Sequence, residues 1–411
     1  MTFFPEIYIR SSDSPSVDAF GRYRISEPET LFDSKQLFDG SELFWTTKYE
    51  TSATGTHNAN RASTLLSVTS TSGSLAIRQS KQRIDYQPGK SLKITKTFIM
   101  DEGNTNIRKR VGYFDDSNGI FLEQNGKNIN CVLRSNVTGT PVDTVISQSA
   151  WNKDKLDGTG ASQVNLDLTK AQIMIIDFQW LGAGRVRISF ANNGSLINCH
   201  EFLHANNTNS VYMSTPNLPI RYEIKTTGNA STTGTLEQIC SSAVSEGGYE
   251  PIGQKRTANR GTGSIEIVSE NELVPLISIR KKSNYIGAKV IPTGFSIMTT
   301  TSADLLWELT LNPTINGSDN ANWQSVVSSS VEYDISRDVT NSLSGGIVIR
   351  SGYVAGGNAQ TPAQLISEDE SPGLQLGSDL NNNVDEMVLS AQVIGGTTEN
   401  LFAAISWREI T

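Results

Sequence analysis

His200-Glu201-Phe202-Leu203-His204 is the one stretch of this chain whose residue types and spacing match a catalytic metal motif. On a helix, residues four apart share a face, so two imidazoles reach one zinc and the glutamate between them serves as general base. The surroundings read as strands instead. Gln172 to Trp180 and Arg185 to Phe190 alternate on either side of the turn Gly182-Ala183-Gly184. Asn193-Gly194 then turns the chain into a third run, Leu196 to Phe202, which carries His200. In a strand, four steps of ~3.4 Å place the two histidines ~13 Å apart. Ligands of one zinc each sit ~2 Å from the metal, and Glu201 points away from both histidines. The Asn-rich run 205–209 does not continue a helix. The third histidine, His57, is remote, so the sequence predicts neither a zinc protease nor any resident metal.

Other chemistries fail for lack of parts. There is no P-loop, no GxSxG elbow and no paired Cys-His metal set. Asp115-Asp116, with Asn118 and Glu123, has the oxygen content of a calcium loop, and Asp154, Asp157 and Asp167 form a second acidic group. Neither has EF-hand spacing, and the favoured reading is turns whose Asp and Asn side chains cap their own backbone. Glycoside hydrolysis needs two carboxylates roughly 5 to 9.5 Å apart, which spacing along a chain does not show. The loop aromatics Trp151 and Tyr212, with Trp323, have the chemistry to stack on sugars; the competing reading is core or interface anchors. Arg108-Lys109-Arg110 reads as a charged strand face.

Composition narrows the class further. The 411 residues carry 34 basic and 42 acidic side chains, a formal charge of -8, which gives no general attraction to nucleic-acid phosphates. The three cysteines, Cys131, Cys199 and Cys240, cannot all pair within one chain and read as buried thiols. No apolar run approaches the ~20 residues of a membrane helix, and the N-terminus does not read as a signal peptide. Nothing implies a cofactor.

Organisation follows from turn signals. Pro5, Pro15 and Pro28 interrupt residues 1–30, which read as an extended arm. Residues 31–245 read as strand after strand, with Asn125-Gly126 and other turn pairs between alternating runs. Residues 246–263 contain few apolar groups and read as a linker, and 264–411 as a second set of strands, with Ile286 to Ile291 and Phe295 to Met298 as separate runs among them. The expected fold is all-β: two antiparallel, jelly-roll-like sandwiches behind an N-terminal arm.

The segment Val17-Asp18-Ala19-Phe20-Gly21-Arg22-Tyr23-Arg24-Ile25-Ser26-Glu27-Pro28, continuing as Thr30-Leu31-Phe32-Asp33-Ser34-Lys35, resembles the opening of a family of virion structural proteins of tailed bacteriophages. The likeness extends to Arg110-Val111-Gly112-Tyr113-Phe114, to Trp180-Leu181-Gly182 and to Tyr212-Met213-Ser214-Thr215-Pro216-Asn217. The resemblance implies a non-enzymatic structural protein, a capsid decoration, head fibre or tail appendage, built into the virion in the host cytoplasm. Its partners would be other virion proteins and further copies of itself, with Asp18, Phe20, Arg22 and Arg24 in the assembly arm. The stretch from Trp180 to Phe202 also resembles the back sheet of concanavalin-like lectin sandwiches. That likeness implies the alternative, a carbohydrate-binding adhesin of a tail fibre or baseplate that contacts a host glycan.

Overall fold

A computed structural model describes residues 27–268, 272–300, 303–355, 364–365, 375–395 and 398–410. The arm residues Asp18, Phe20, Arg22 and Arg24 lie outside the described residues. The chain is all-β, as its alternating runs and frequent turn signals predict. Among the described residues the only helical elements are three 3-10 turns at Ala59–Arg61, Gln148–Ala150 and Ser283–Tyr285.

Among the described residues fifteen strands precede residue 246: β1 Glu29–Ser34, β2 Trp45–Glu50, β3 Thr54–Asn58, β4 Ser63–Val68, β5 Leu75–Ser80, β6 Leu92–Ile99, β7 Ile107–Phe114, β8 Gly119–Asn125, β9 Asn128–Ser135, β10 Val142–Ser147, β11 Gln172–Phe178, β12 Val186–Asn192, β13 Ser195–Phe202, β14 Ile220–Thr226 and β15 Gly234–Ser245. One sheet runs β13-β12-β11-β6-β15-β4-β3, with β1 paired to β15; the other runs β10-β9-β8-β7-β14-β5-β2. Strand β6 shows how sequence makes this layer. Leu92, Ile94, Lys96 and Phe98 face inward while Lys93, Thr95 and Thr97 face outward, the period-two pattern of a sheet with one buried face. Inward residues of both sheets meet in one core, where Tyr113 of β7 touches Phe178 of β11 at 5.5 Å between ring centroids. Each large apolar side chain buried there contributes roughly 1.5–3 kcal/mol. Asn193 and Gly194 both adopt positive φ, 48° and 81°, the two-residue turn that matches strand twist.

Thirteen strands follow: β16 Gln254–Asn259, β17 Ile265–Val268, β18 Val274–Lys281, β19 Lys289–Thr299, β20 Asp304–Leu311, β21 Thr314–Asn316, β22 Gln324–Ser325, β23 Val331–Asp334, β24 Ser342–Ser344, β25 Ile347–Val354, β26 Gln364–Leu365, β27 Glu386–Gly395 and β28 Thr398–Ile410. They form the sheets β16-β28-β19-β26, with β17 on β28, and β22-β23-β18-β27-β20-β25, plus the small pair β21-β24. Their core is separate from the first and includes Phe295 of β19 against Trp307 of β20 at 4.7 Å.

Two details differ from the sequence expectation. Strand β16 lies inside 246–263, the stretch read as linker, and pairs along β28 from Gln254↔Glu409 to Asn259↔Ala404. Only Ala258 of its six residues is buried, so a backbone ladder holds this strand and no apolar alternation announces it. The runs Ile286 to Ile291 and Phe295 to Met298, expected as two strands, join in β19 through a bulge between Pro292 and Gly294. The bulge accommodates a proline that cannot donate to the ladder.

Candidate functional site

The residues of the metal-like string are divided between separate environments. His200 lies on β13 and is buried, its Nδ1 accepting the Asn152 N–H at 3.3 Å and its ring set edge-on to Phe202. His204 lies past the end of the strand, stacked at 4.1 Å on Tyr212, and its Nδ1 donates to the Gly184 carbonyl at 2.6 Å. Burial pushes both imidazoles below the usual histidine range. Glu201 faces Lys153 at 3.1 Å and Arg185 at 3.6 Å. Among the described residues no group of three or more His, Cys, Asp or Glu could hold a metal ion.

The two aromatics expected to stack on sugars are core residues, which corrects that expectation. Trp151 is 3% exposed and donates its indole N–H to the Ile146 carbonyl at 3.3 Å; Tyr212 is 5% exposed and donates its hydroxyl to the Gln179 carbonyl at 3.0 Å. Both sit in connections between strands and turn their rings into the first core. Trp323 is covered by the guanidinium groups of Arg280 and Arg337, 4.0 and 5.7 Å from its ring centroid.

The acidic residues hold the scaffold together. Asp115 accepts the N–H groups of Ser117 and Asn118 and pairs with Arg83 at 2.8 Å. Asp116 pairs with Arg221 at 2.6 Å, and Glu123 with Arg110 at 2.8 Å. Asp154, Asp157 and Asp167 each accept a backbone N–H two residues on, the behaviour of a turn cap. On the outward face of β7 to β10 and β14, Arg110 also reaches Glu223 at 3.5 Å and Asp143 at 3.6 Å, while Arg134 grips Asp143 through two bonds of 2.7 and 2.9 Å. Arg110 and Arg134 lie over Phe121, and Arg221 over Phe114. Gly112 gives this layer its room, because a Cβ there would fall 2.3 Å from that of Phe121. Lys109 points the other way, donating to the carbonyls of Met100 and Glu102, so Arg108-Lys109-Arg110 divides between the two faces of β7.

A cleft of about 700 Å³ opens where residues 247–252 leave β15, beside the connection after β5, Trp180 after β11 and residues 214–217 before β14. Its walls are held by bonds between segments far apart in sequence. The Trp180 indole N–H donates to the Met213 carbonyl at 3.0 Å, and its ring meets Tyr86 edge-on. Tyr86 in turn stacks on Phe178 and donates its backbone N–H to Asn217 Oδ1 at 2.9 Å. Asp85, 5% exposed, accepts the Tyr249 hydroxyl at 3.1 Å, and the Lys289 ammonium donates to the same phenol oxygen at 2.9 Å. Burial raises the Asp85 carboxyl and lowers the Lys289 amine from their ordinary ranges. Sequence reasoning missed this place. In the sequence Trp180 reads as the end of a strand before the turn Gly182-Ala183-Gly184, and no local spacing signals that it meets 214–217.

No protein-family model matches the chain, and no curated protein matches it. Solved structures do. A legume lectin-like domain from Entamoeba histolytica aligns at 11% identity over 52% of this chain and 96% of its own, with a TM-score of 0.32. A Shewanella oneidensis protein of unknown function aligns at 9% identity over 61% of this chain and 100% of its own, TM-score 0.37. A Bacillus licheniformis β-glucanase aligns at 11% identity over 54% and 98%, TM-score 0.33. At these scores the likenesses carry no argument about ligand or reaction.

Proposed function

We propose that this chain is a non-enzymatic structural protein of a tailed-bacteriophage virion, exposed on the particle as a capsid decoration, head fibre or tail appendage. The observation that best supports the non-enzymatic part is the employment of the acidic groups. The carboxylates of Asp115, Asp116, Glu123 and Asp143 are neutralised by arginines, and those of Asp154, Asp157 and Asp167 cap turns. A catalytic carboxylate must instead be free to take or give a proton. The virion part is supported by the resemblance of 17–35 to the phage family. Assembly then proceeds through the arm, with Asp18, Phe20, Arg22 and Arg24, and through β-sheet surfaces that meet further copies and other virion proteins. Contacts repeated over a particle hold through their number even where each is weak. Deleting residues 1–30 tests this: the truncated protein folds but is missing from purified particles, and normal incorporation would sink the arm's role.

A second reading, a carbohydrate-recognising adhesin, is favoured by the cleft beside Trp180. Trp151 and Tyr212 are too deeply buried to serve it.

A further inference from the structure

We propose that the cleft bounded by Trp180, Tyr86, Asp85 and Asn217 is a binding site for a neutral, hydroxyl-rich ligand, a saccharide by chemical class. The inference rests on the adhesin reading and gives it a place. Small-molecule sites enclose roughly 300–1,000 Å³ and combine aromatic walls with a few fixed polar groups; this cleft, at about 700 Å³, has both.

The indole of Trp180 is half-buried and cannot swing, because its N–H is tied to the Met213 carbonyl and its edge rests against Tyr86. A fixed, partly exposed indole is a platform for the C–H face of a pyranose, apolar on its ring and polar at its rim. Hydroxyls around such a ring need acceptors and donors at fixed positions, and the carboxylate of Asp85 and the amide of Asn217 stand on the same cleft. Preorganisation is provided by cross-links between its walls, Tyr86 N–H to Asn217 Oδ1 and Glu250 N–H to Gln87 Oε1 at 3.1 Å, with Lys90 Nζ bonding the same Gln87 oxygen within its turn at 2.7 Å. Walls already fixed reduce the ordering cost of binding.

Charge decides against other ligand classes. The charge of Asp85 is answered by Lys289 through the Tyr249 phenol, so a cationic ligand gains little from it. The cleft lining carries Asp85 and Glu250 against the single basic residue Lys90, a balance that does not favour a phosphate or an acidic polymer. A ligand without charge remains.

The test applies the full chain to an array of neutral and acidic bacterial-surface oligosaccharides, with choline as a cationic control. The tightest binder is then titrated calorimetrically against wild type, W180A and W180F. Neutral oligosaccharides bind, W180A weakens them about tenfold or more, and W180F, which keeps a ring, loses less. Because W180A also frees the Met213 carbonyl, the indole N–H resonance of Trp180 is followed in the unaltered protein, assigned by its absence from W180F. It shifts on saturation. Binding that leaves this resonance and the W180A affinity unchanged overturns the cleft assignment while sparing the adhesin reading. An array with no binder overturns both, and binding confined to acidic glycans or choline overturns the neutral class.

Discussion

Lys96 occupies an inward position of β6 between Ile94 and Phe98, and it is fully buried in the first core. Its Nζ donates to the carbonyls of Gly112 and Arg221 and lies 4.5 Å from the centroid of the Tyr222 ring. Burial alone pushes the amine well below the lysine range. In the unfolded chain the same group titrates near ~10.4. Between the depressed folded value and that point the unfolded state holds one more proton, so this group makes stability rise with pH and fall as pH drops. The slope for one proton is about 1.4 kcal/mol per pH unit. Methionine at this position fills similar volume and does not titrate. The stability of K96M minus that of the wild type therefore declines as pH rises toward ~10.4, by up to about 1.4 kcal/mol per pH unit. Buried thiols and tyrosines also titrate near this range, but they are common to both proteins and cancel in the difference. The assay is urea unfolding of both proteins at several pH values, followed by near-ultraviolet circular dichroism. A difference that does not move with pH would refute the reasoning, because it would mean that Lys96 remains charged in the folded core.

Removing Arg110 while keeping its bulk, as R110M, leaves Glu123 and Glu223 without their shared buried cation. Urea unfolding should show a loss of about 3–5 kcal/mol, and a variant as stable as the wild type would contradict the pairing. W151A opens a cavity in the first core and costs about 3–5 kcal/mol; a variant with wild-type stability would contradict its placement. Y249F removes the phenol between Asp85 and Lys289 and costs about 1–3 kcal/mol by leaving two buried polar groups short of a partner, read by the same unfolding assay.

Much of the fold was legible because alternation is a direct record of one buried face. Leu92, Ile94 and Phe98 announce β6, and Val186, Ile188 and Phe190 announce β12. What stayed hidden followed other physics. Strand β16 is almost entirely polar and is held by its ladder to β28, so hydropathy could not show it. Lys96 breaks the inward pattern of its own strand without ending it, because two carbonyls and a ring face receive its Nζ. The strand setting of His200 was readable, since Gly182-Ala183-Gly184 and Asn193-Gly194 mark the hairpin turns on either side of β12. The cleft was not. Asp85, Trp180 and Asn217 belong to three connections that only the closed sandwich brings together, and a loop position alone did not reveal that Trp151 and Tyr212 point inward.

The central claim, a place on the surface of a phage particle, is tested most directly by gold-antibody labelling of intact, purified particles viewed by electron microscopy. The account predicts regular label on the particle, over the capsid for a decoration or head fibre and at the tail for an appendage. Particles that carry no label, with the protein confined to the soluble lysate, would contradict it.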